Sequence, residues 1–207
     1  AIAKPWLAQY GQGVPAEINA SEYASLVDLL EDAFRKHAKR DMAAFMDSRW
    51  SFAEIDAQSR ALATWLQSLK LAKGARVAIM MPNVPQYTVA IAGVLRAGLT
   101  VVNVNPMYTP RELEHQLNDS GAEVIIVLEN FAVTLQDVIE RTPIKHIVLS
   151  AMGDVFGPIK GALVTFNTRH LEKNVVAFNL PDNERCKQTP LKPALALCVA
   201  ATIHPIT

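Results

Sequence analysis

One segment of this chain, residues 95–121, constrains its fold more than any other. It reads LRAGLTVVNVNPMYTPRELEHQLNDSG, and the β-branched run at 100–104 predicts a strand that Pro106 ends. Thr109 can accept from the backbone N–H three residues on while the carboxylate at that position reaches back, so this capping box predicts a helix from Pro110. The final glycine of the segment supplies a left-handed end. A strand joined so directly to a helix is typical of α/β proteins.

Strand signals recur along the chain at a spacing of about 23 residues, the scale of a crossover unit between parallel strands. Short apolar runs bounded by Gly, Pro or charged residues predict strands at 76–81, 100–104, 123–128 and 146–149. Helices are predicted to begin near Val84, Pro110 and Phe131. In the last of them, the face toward the sheet would carry Phe131, Leu135, Val138 and Ile139. The predicted fold class is therefore α/β, a mostly parallel sheet of about four strands flanked by helices.

Two capped helices and a small hairpin are predicted ahead of this sheet. The helices would follow the N-caps Ser25 and Ser51, each with an acidic residue three positions on. Their inward faces are predicted to carry Leu26, Leu29, Leu30, Ala33, Phe34 and His37 in the first helix and Phe52, Ile55, Leu62, Leu66 and Leu69 in the second. A hairpin of segments 43–46 and 49–51, with its tip at 47–48, is expected to lie against the edge of the larger sheet.

Composition excludes some classes of function. Of the 207 residues, 50% are hydrophobic and 19% are charged, which suits a folded globular domain. Twenty basic residues balance 20 acidic ones, so no global field favours nucleic acid, and none is expected as a partner. No apolar run approaches the roughly 20 residues that span a bilayer, and the first residues lack the apolar core of a secretory signal. A cytoplasmic location is therefore expected.

The motifs on either side of the Pro106 strand end resemble those of the adenylate-forming enzymes. Residues 50–98 read WSFAEIDAQSRALATWLQSLKLAKGARVAIMMPNVPQYTVAIAGVLRAG and are similar to the preceding family motif. Within that superfamily, two segments most resemble bacterial long-chain fatty-acid–CoA ligases, which are AMP-forming acyl-CoA synthetases of lipid metabolism. These segments are NVNPMYTPRELEHQLNDSG and the N-terminal KPWLAQYGQGVPAEINASEYASLVDLLEDAFRKHAKR. The match runs from Lys4 to Pro181, so residues 1–181 are expected to form the N-terminal portion of that family's large domain.

This resemblance implies an acid–thiol ligase that works through an acyl-adenylate. The fatty carboxylate attacks the α-phosphate of ATP and CoA then displaces AMP, so the full-length enzyme would use ATP, Mg²⁺, CoA and a long-chain fatty acid. The family's Gly/Ser/Thr-rich phosphate loop is expected beyond residue 207, and the chain is expected to be truncated, inactive and free of cofactors. No catalytic, cofactor-binding or metal residue is assigned within it, and its substrate-binding residues stay unknown. The resemblance places a helix at 85–97 in the wall of the fatty-acid pocket.

Residues 182–207 depart from the family and receive no assignment. From residue 183 they read NERCKQTPLKPALALCVAATIHPIT, which matches no part of a long-chain ligase. A truncation, a reading-frame change or a cloning remnant would each account for such a tail. Both cysteines, Cys186 and Cys198, fall in it with the wrong spacing for a disulfide framework or a zinc site, so free thiols are expected.

Most polar motifs have plain structural interpretations. The glycines at 11–13 lack the strand that a dinucleotide fingerprint needs before it, so they are interpreted as a flexible lead-in. Two Lys-Gly pairs, 73–74 and 160–161, lack the glycines of a phosphate loop and are interpreted as turns. No two histidines have metal-ligand spacing among His37, His115, His146, His170 and His204. Glu114 and His115 point about 100 degrees apart on a helix, which favours a solvated helix face over an acid–base pair.

Three polar residues lie at the carboxyl end of the strand at 100–104, where open α/β sheets bind ligands. Asn103, Asn105 and Tyr108 are therefore candidate binding residues. A structural role is favoured for them, in which the asparagines turn the chain and Tyr108 packs.

Residues 157–178 support a second hypothesis, contact with a membrane surface. Ile159, Leu163 and Phe166 share a helical face, and basic character nearby comes from Lys160, Arg169, His170 and Lys173. A position peripheral to the inner membrane would give a fatty-acid ligase access to substrate dissolved in lipid. A linker helix packed on the main domain is the favoured alternative, because the charge is modest and two polar residues interrupt the pattern.

Two further functions stay open at this point. One is a ligase for another carboxylic acid, medium-chain or aryl, because the residues that set chain length are expected outside this sequence. The other is a non-catalytic binding module that kept the fold and lost the chemistry. Coding sequence that continues into a Thr/Ser/Gly-rich loop ending in lysine would favour the enzyme.

Overall fold

The computed structural model describes residues 3–197. In chain order its helices and strands are α1 (Leu26–Lys36), β1 (Asp41–Phe45), β2 (Ser48–Ser51), α2 (Phe52–Ser68), β3 (Arg76–Met80), α3 (Pro85–Arg96), β4 (Thr100–Val104), α4 (Pro110–Ser120), β5 (Val124–Leu128), α5 (Ala132–Gln136), β6 (His146–Ser150), α6 (Pro158–Phe166), β7 (Lys187–Pro190) and α7 (Leu191–Leu197). Single 3₁₀ turns cover Pro5–Gln9, Glu129–Phe131 and Ile139–Arg141, and a π-helical turn covers Asn167–Leu171. Cys198 and His204 lie outside the described residues, so the expectations for them stay predictions.

Five strands form one sheet in which every neighbouring pair is parallel, in the order β4-β3-β5-β6-β7. β3 to β6 begin and end within one residue of their predicted positions, so the predicted α/β class with a mostly parallel sheet is confirmed. The fifth strand, β7, has no counterpart in the prediction and lies in the unassigned residues 182–207. Pro190 pairs opposite Leu149 at this edge of the sheet, where a residue without an N–H is tolerated.

Apolar side chains cover both faces of the sheet. All five residues of β5 are buried, and successive side chains along a strand point to opposite layers. Ile126 packs in the layer that contains Leu62 of α2, whereas its neighbour Ile125 packs in the layer that contains Leu113 of α4. Because both faces of the sheet are covered, the strands are nearly continuous apolar runs in the sequence.

The two N-terminal helices have the predicted caps, but only the second has the predicted inward face. Ser25 and Ser51 each accept a hydrogen bond from the backbone N–H three residues on. The fully buried residues of the predicted α2 face are Ile55, Leu62 and Leu66. The face predicted for α1 is wrong at Leu26 and Leu29, which are exposed, whereas Phe34 is buried. The reason is that α1 lies at the periphery and meets α2 and α3 along a narrow strip.

The hairpin forms, but its tip and its position differ from the prediction. β1 and β2 are joined by Met46 and Asp47, whose φ values of 46° and 57° suit a two-residue type I′ turn, one residue earlier than expected. The hairpin pairs with neither edge of the five-stranded sheet. Instead, Trp50 Nε1 donates to Val155 O at 3.0 Å and its ring packs on Phe156. Burial of this large ring draws the hairpin over the loop before α6.

The helix predicted from Phe131 is broken into shorter pieces. α5 ends at Gln136, and a separate 3₁₀ turn follows at Ile139–Arg141. The predicted apolar face is nevertheless buried at Leu135, Val138 and Ile139. This connection is therefore stabilised by the packing of these side chains on the sheet, and it does not need one continuous helix.

The capping box of α4 is formed as predicted. Thr109 N donates to Glu112 Oε2 at 2.8 Å, and Glu112 N donates to Thr109 Oγ1 at 3.4 Å. The N–H and the hydroxyl of Thr109 both donate to the Glu112 carboxylate and hold the pKa of Glu112 below its ordinary value. Gly121 ends the helix with a φ of 61°, a left-handed conformation that glycine adopts without steric cost.

Replacing Thr109 by alanine is expected to lower the free energy of unfolding by about 1 kcal/mol, because the first turn of α4 loses its acceptor. Urea denaturation of Thr109→Ala and wild type measures the difference. Thr109→Ser keeps the hydroxyl and should stay within about 0.5 kcal/mol of wild type. Equal losses in the two variants would contradict the capping role.

Candidate functional site

The order of the strands creates a topological switch point in the sheet. The chain passes from β3 to β4 on one side and then crosses to β5 on the other side of β3. The connections that leave the carboxyl ends of β3 and β5 therefore diverge, and open α/β sheets bind ligands in the crevice at such a point. The carboxyl ends of β3, β5 and β6 are thus the candidate site.

Three polar side chains flank this crevice, and each is held at one of its two polar ends. Gln86, in the first turn of α3, donates from Nε2 to a backbone carbonyl of the loop after β6 at 3.1 Å. Glu129, directly after β5, accepts through Oε2 from Arg169 Nε at 2.9 Å. Asn130 donates from Nδ2 to Asn174 O at 3.1 Å. These bonds fix the orientation of all three side chains.

The other polar atom of each amide or carboxyl group is a buried oxygen without a hydrogen-bond partner among the described protein residues. Within residues 3–197 such oxygens occur in five side chains, and these are Gln58, Gln86, Gln116, Glu129 and Asn130. Three of the five therefore flank the switch point. Gln86 and Glu129 are each only 1% exposed. Because a buried acceptor without a donor is unfavourable, the fold is incompletely satisfied at this crevice.

Asp154 adds a second carboxyl group to the same region. Its Oδ2 accepts from Ala151 N at 2.8 Å. Burial raises the pKa of Asp154 above its ordinary value, and the charge of Glu129 adds to this effect. Nearby Arg169 acts in the opposite direction but is itself bonded to Glu129. The region is therefore acidic and rich in hydrogen-bond acceptors.

Sequence patterns alone do not select these residues. Glu129 has a usable signal, since it is a charged residue directly after a buried strand. Gln86 and Asp154 have none, because their place beside Glu129 follows from the order of the strands.

The candidate residues near the end of β4 make contacts within the protein. Asn103 accepts through Oδ1 from the Tyr87 hydroxyl at 2.8 Å. Asn105 Oδ1 accepts from Met107 N at 3.0 Å, which turns the chain before α4. Tyr108 packs against the core on the α4 side of the sheet. Asn105 and Tyr108 thus have the structural roles that the sequence favoured, whereas Asn103 lies within β4 and bonds α3 instead of turning the chain.

Two other polar motifs also serve the fold. Glu114 forms an ion pair with Arg141 at 2.9 Å, while His115 is exposed beside it, so they do not act as a pair. Lys73 and Gly74 form the predicted turn, in which Gly74 has a φ of 77°. The glycines at 11–13 lie in an exposed lead-in without a strand before them.

The turn predicted at Lys160-Gly161 is wrong, because both residues lie inside α6. Gly161 faces Gly153 in the loop after β6, and a Cβ on Gly161 would stand 2.5 Å from Gly153 O. Lys160 reaches the hairpin and donates to Met46 O at 2.8 Å. The glycine is therefore needed for close packing of a helix on a loop.

The described residues form no metal centre. Among residues 3–197, no three His, Cys, Asp or Glu side chains come together as ligands. Burial lowers the pKa of His146, and His170 stacks on Phe166 with ring centroids 4.9 Å apart. Cys186 is a buried free thiol whose pKa is raised by burial.

The apolar face predicted within residues 157–178 lies on the protein surface. Its exposed side chains are Ile159 (79%), Leu163 (64%), Phe166 (55%) and, in the following turn, Leu171 (67%). α6 packs inward through Gly161 and Val164. In the part of the chain that the structure describes, every helix is too short or too polar to cross a bilayer.

Comparison with known sequences decides the family. The sequence model described as AMP-binding enzyme matches residues 30–194. The chain belongs to the AMP-binding enzyme family. This membership confirms the resemblance to adenylate-forming enzymes that the motifs before and after Pro106 carry.

Relatives within the AMP-binding enzyme family include several bacterial ligases. The long-chain-fatty-acid–CoA ligase of Salmonella typhimurium is 50% identical over 182 residues, which cover 87% of this chain and 32% of the relative. The ligase of the same description from Bacillus subtilis is 40% identical over 126 residues, which cover 61% of this chain and 22% of the relative. The chain thus spans about a third of the length of the first of these curated relatives.

Solved structures of similar proteins share the fold. An anthranilate CoA ligase in complex with anthranoyl-AMP has a TM-score of 0.61 at 20% identity, over 82% of this chain and 32% of that one. A long-chain-fatty-acid-CoA ligase from Archaeoglobus fulgidus has a TM-score of 0.56 at 24% identity, over 80% of this chain and 34% of that one. At these identities the likeness shows the fold alone.

Proposed function

We propose that this chain is the N-terminal part of an AMP-forming long-chain fatty-acid–CoA ligase. The observation that carries the proposal is the 50% identity over 182 residues with the Salmonella typhimurium ligase. The whole enzyme would convert a fatty acid, ATP and CoA into acyl-CoA, AMP and pyrophosphate through an acyl-adenylate. Residues 1–181 would form the N-terminal portion of its large domain.

In this proposal the described residues supply scaffold rather than chemistry. ATP, Mg²⁺ and CoA would bind in the whole enzyme, and among residues 3–197 no three His, Cys, Asp or Glu side chains come together as a metal-binding group. The sequence also contains no Gly/Ser/Thr-rich loop to hold a departing pyrophosphate. We therefore expect the isolated chain to form no acyl-CoA from ATP, Mg²⁺, CoA and palmitate. Turnover above a protein-free blank would contradict this expectation.

Helix α3 is the element that we propose for the wall of the fatty-acid pocket. Its middle and end pack against α2, where Gly93 lies close to Leu62. Its first turn lies at the switch-point crevice and carries Gln86 and Tyr87. The first turn, rather than the whole helix, would then be the part that faces a ligand.

A chimeric ligase tests the proposed function. Residues 1–181 of this chain would replace the matching N-terminal part of the Salmonella typhimurium ligase, and AMP release with palmitate would be measured. We expect kcat/KM within about tenfold of the parent enzyme, a loss of no more than about 1.4 kcal/mol in transition-state stabilisation. The parent enzyme carried through the same cloning junction is the control.

The other outcomes of the chimera separate the alternatives. A folded chimera that prefers octanoate or benzoate to palmitate would show that residues 1–181 themselves take part in selecting the acid, and would favour a ligase for another carboxylic acid. A folded chimera without activity, judged by its thermal unfolding, would favour a non-catalytic module.

We also propose that α6 contacts the cytoplasmic face of the inner membrane. Its exposed apolar side chains support this contact. Residues 157–178 also carry three fixed positive charges against one negative charge, from Lys160, Arg169, Lys173 and Glu172. Apolar side chains would enter below the headgroups while basic side chains meet anionic lipid phosphates. A fatty-acid ligase so placed would take its substrate from lipid.

Co-sedimentation with phosphatidylethanolamine–phosphatidylglycerol vesicles tests the membrane contact. The double variant Ile159→Ser, Leu163→Ser is expected to bind at least about tenfold more weakly, because two apolar side chains lose their transfer free energy. The matched control Val14→Ser, Ile18→Ser removes two exposed apolar side chains outside α6 and should bind as wild type does. Equal binding by all three proteins would contradict a role for α6.

A further inference from the structure

The segment after α6, residues 167–174, lies against the candidate site and is named the strap. Two contacts tie it to the carboxyl end of β5: Arg169 pairs with Glu129, and Asn174 O accepts from Asn130 Nδ2 at 3.1 Å. Among residues 3–197, the other hydrogen bonds of the strap stay within it or run back to α6. The strap is therefore held to the sheet by few interactions.

The backbone of the strap does not continue α6 as a regular helix. Asn167–Leu171 form a π-helical turn, and Lys173 has a φ of 55°. Such conformations persist only where surrounding contacts hold them, and they concentrate at functional sites. The two ties at the end of β5 hold this segment to the sheet, together with the buried Thr168, which bonds back to α6.

The groups beneath the strap would gain from its opening. Glu129 Oε1 and Asn130 Oδ1 are buried without a donor, and so is Gln86 Oε1 across the switch point. Glu129 and Asn130 carry the two ties, so water or the N–H or O–H of a ligand would satisfy their free oxygens once the strap moved, and Gln86 Oε1 adds a third acceptor at the same switch point. Because these acceptors are unsatisfied in the closed state, their hydration offsets part of the free energy needed to open it.

The outer side of the same segment is suited to a lipid surface. Leu171 belongs to the strap and, like Phe166 just before it, is exposed. The Arg169 side chain is 45% exposed although its partner carboxylate is buried. Its guanidinium can therefore exchange the Glu129 carboxylate for a lipid phosphate and keep a charge-assisted hydrogen bond throughout.

We propose that the strap is a lid over the switch-point crevice, and that an anionic lipid surface opens it by drawing Arg169 away from Glu129. The open crevice presents the oxygens of Gln86, Glu129 and Asn130 to water or to a hydrogen-bond-donating ligand. The lipid trigger rests on the proposed membrane contact of α6. The lid itself rests only on contacts within the protein.

Hydrogen–deuterium exchange without lipid tests the lid. Glu129→Gln keeps the size of the side chain and removes the charge that holds Arg169, so we expect exchange at residues 129–131 and 167–174 to rise at least about tenfold. Arg169→Gln removes the other partner of the same ion pair. Because Arg169 is partly exposed, this substitution leaves the core intact, and we expect the same rise in exchange. The matched control Glu114→Gln ends the ion pair with Arg141 and should leave both segments unchanged. Unchanged exchange in both test variants would overturn the lid.

Anionic vesicles test the trigger with the wild-type chain. At a phosphatidylglycerol concentration that sediments the protein, exchange at residues 129–131 should rise while α6 becomes protected. Bound protein whose exchange at 129–131 stays constant or falls would overturn the trigger and leave the membrane contact standing. If the vesicles do not sediment the protein, the membrane contact and the trigger both fail, and the lipid-free variants decide the lid.

Discussion

Replacing Arg96 by methionine is expected to lower the free energy of unfolding by about 3 kcal/mol, because it leaves two carboxylates without their buried partner. The Arg96 side chain is 2% exposed, and its Nε donates to Glu31 Oε1 at 2.8 Å. Its other nitrogens bond the Asp56 carboxylate and the Ser59 hydroxyl. The guanidinium also lies 4.6 Å from the centroid of the Phe34 ring. One side chain therefore joins α1, α2 and α3.

Urea denaturation of Arg96→Met beside Arg141→Met measures this effect. Arg141 also pairs with a glutamate, Glu114, at 2.9 Å, but that pair is partly exposed and its loss should cost less than about 1 kcal/mol. Arg60 bonds the same two carboxylates as Arg96 and would keep part of the network. A loss in Arg96→Met no larger than the control's would show that the buried network contributes little.

The variant Gly161→Ala is expected to lose about 2 kcal/mol of unfolding free energy through overpacking. The added Cβ would stand 2.5 Å from Gly153 O and 3.3 Å from Phe156 O. Both are backbone oxygens and cannot turn away as a side chain can. α6 would have to move off the loop after β6, which also carries the Val155 carbonyl that accepts from Trp50.

The variant Gly157→Ala is the matched control in the same segment. A Cβ on Gly157 would meet nothing within 4 Å, and the variant should lose less than about 1 kcal/mol, because Gly157 is the N-cap of α6 and alanine is less favourable than glycine there. Thermal and urea denaturation of both variants make the comparison. Equal stability of Gly161→Ala and Gly157→Ala would contradict the close contact between α6 and the loop after β6.

Helix α6 and helix α1 show where periodicity stops being informative. Both have legible apolar faces in the sequence, yet Leu163 of α6 and Leu26 of α1 are exposed. A helical repeat tells which residues share a face, but it does not tell whether the rest of the chain covers that face. The α2 face succeeds because it is long and packs against α3 and α7, with Leu62 fully buried.

The candidate site was harder to predict than the fold. The sequence directed attention to Asn103 and Asn105 at the carboxyl end of a strand, but Asn103 bonds Tyr87 of α3 and Asn105 bonds the backbone of the next turn. The acceptors that lack partners belong to Gln86, Glu129 and Asn130 on connections from β3 and β5. Their neighbourhood requires the strand order, and several strand orders are compatible with the same set of predicted strands.

The sequence by itself determined where β3 to β6 and the capped helices α1, α2 and α4 lie, how α4 is capped and to which family the chain belongs. Those features depend on β-branched runs, prolines, glycines and caps that act over a few neighbouring residues. Only the tertiary structure decided the strand order, the burial of Arg96, the contact of Gly153 with Gly161 and the outward apolar face of α6. The strand order and the contacts of Arg96 arise between segments far apart in the chain, while the contact of Gly153 with Gly161 and the exposed face of α6 depend on how α6 packs. No local sequence pattern predicts such packing, nor the hydrogen bond between Trp50 and Val155, which are 105 positions apart.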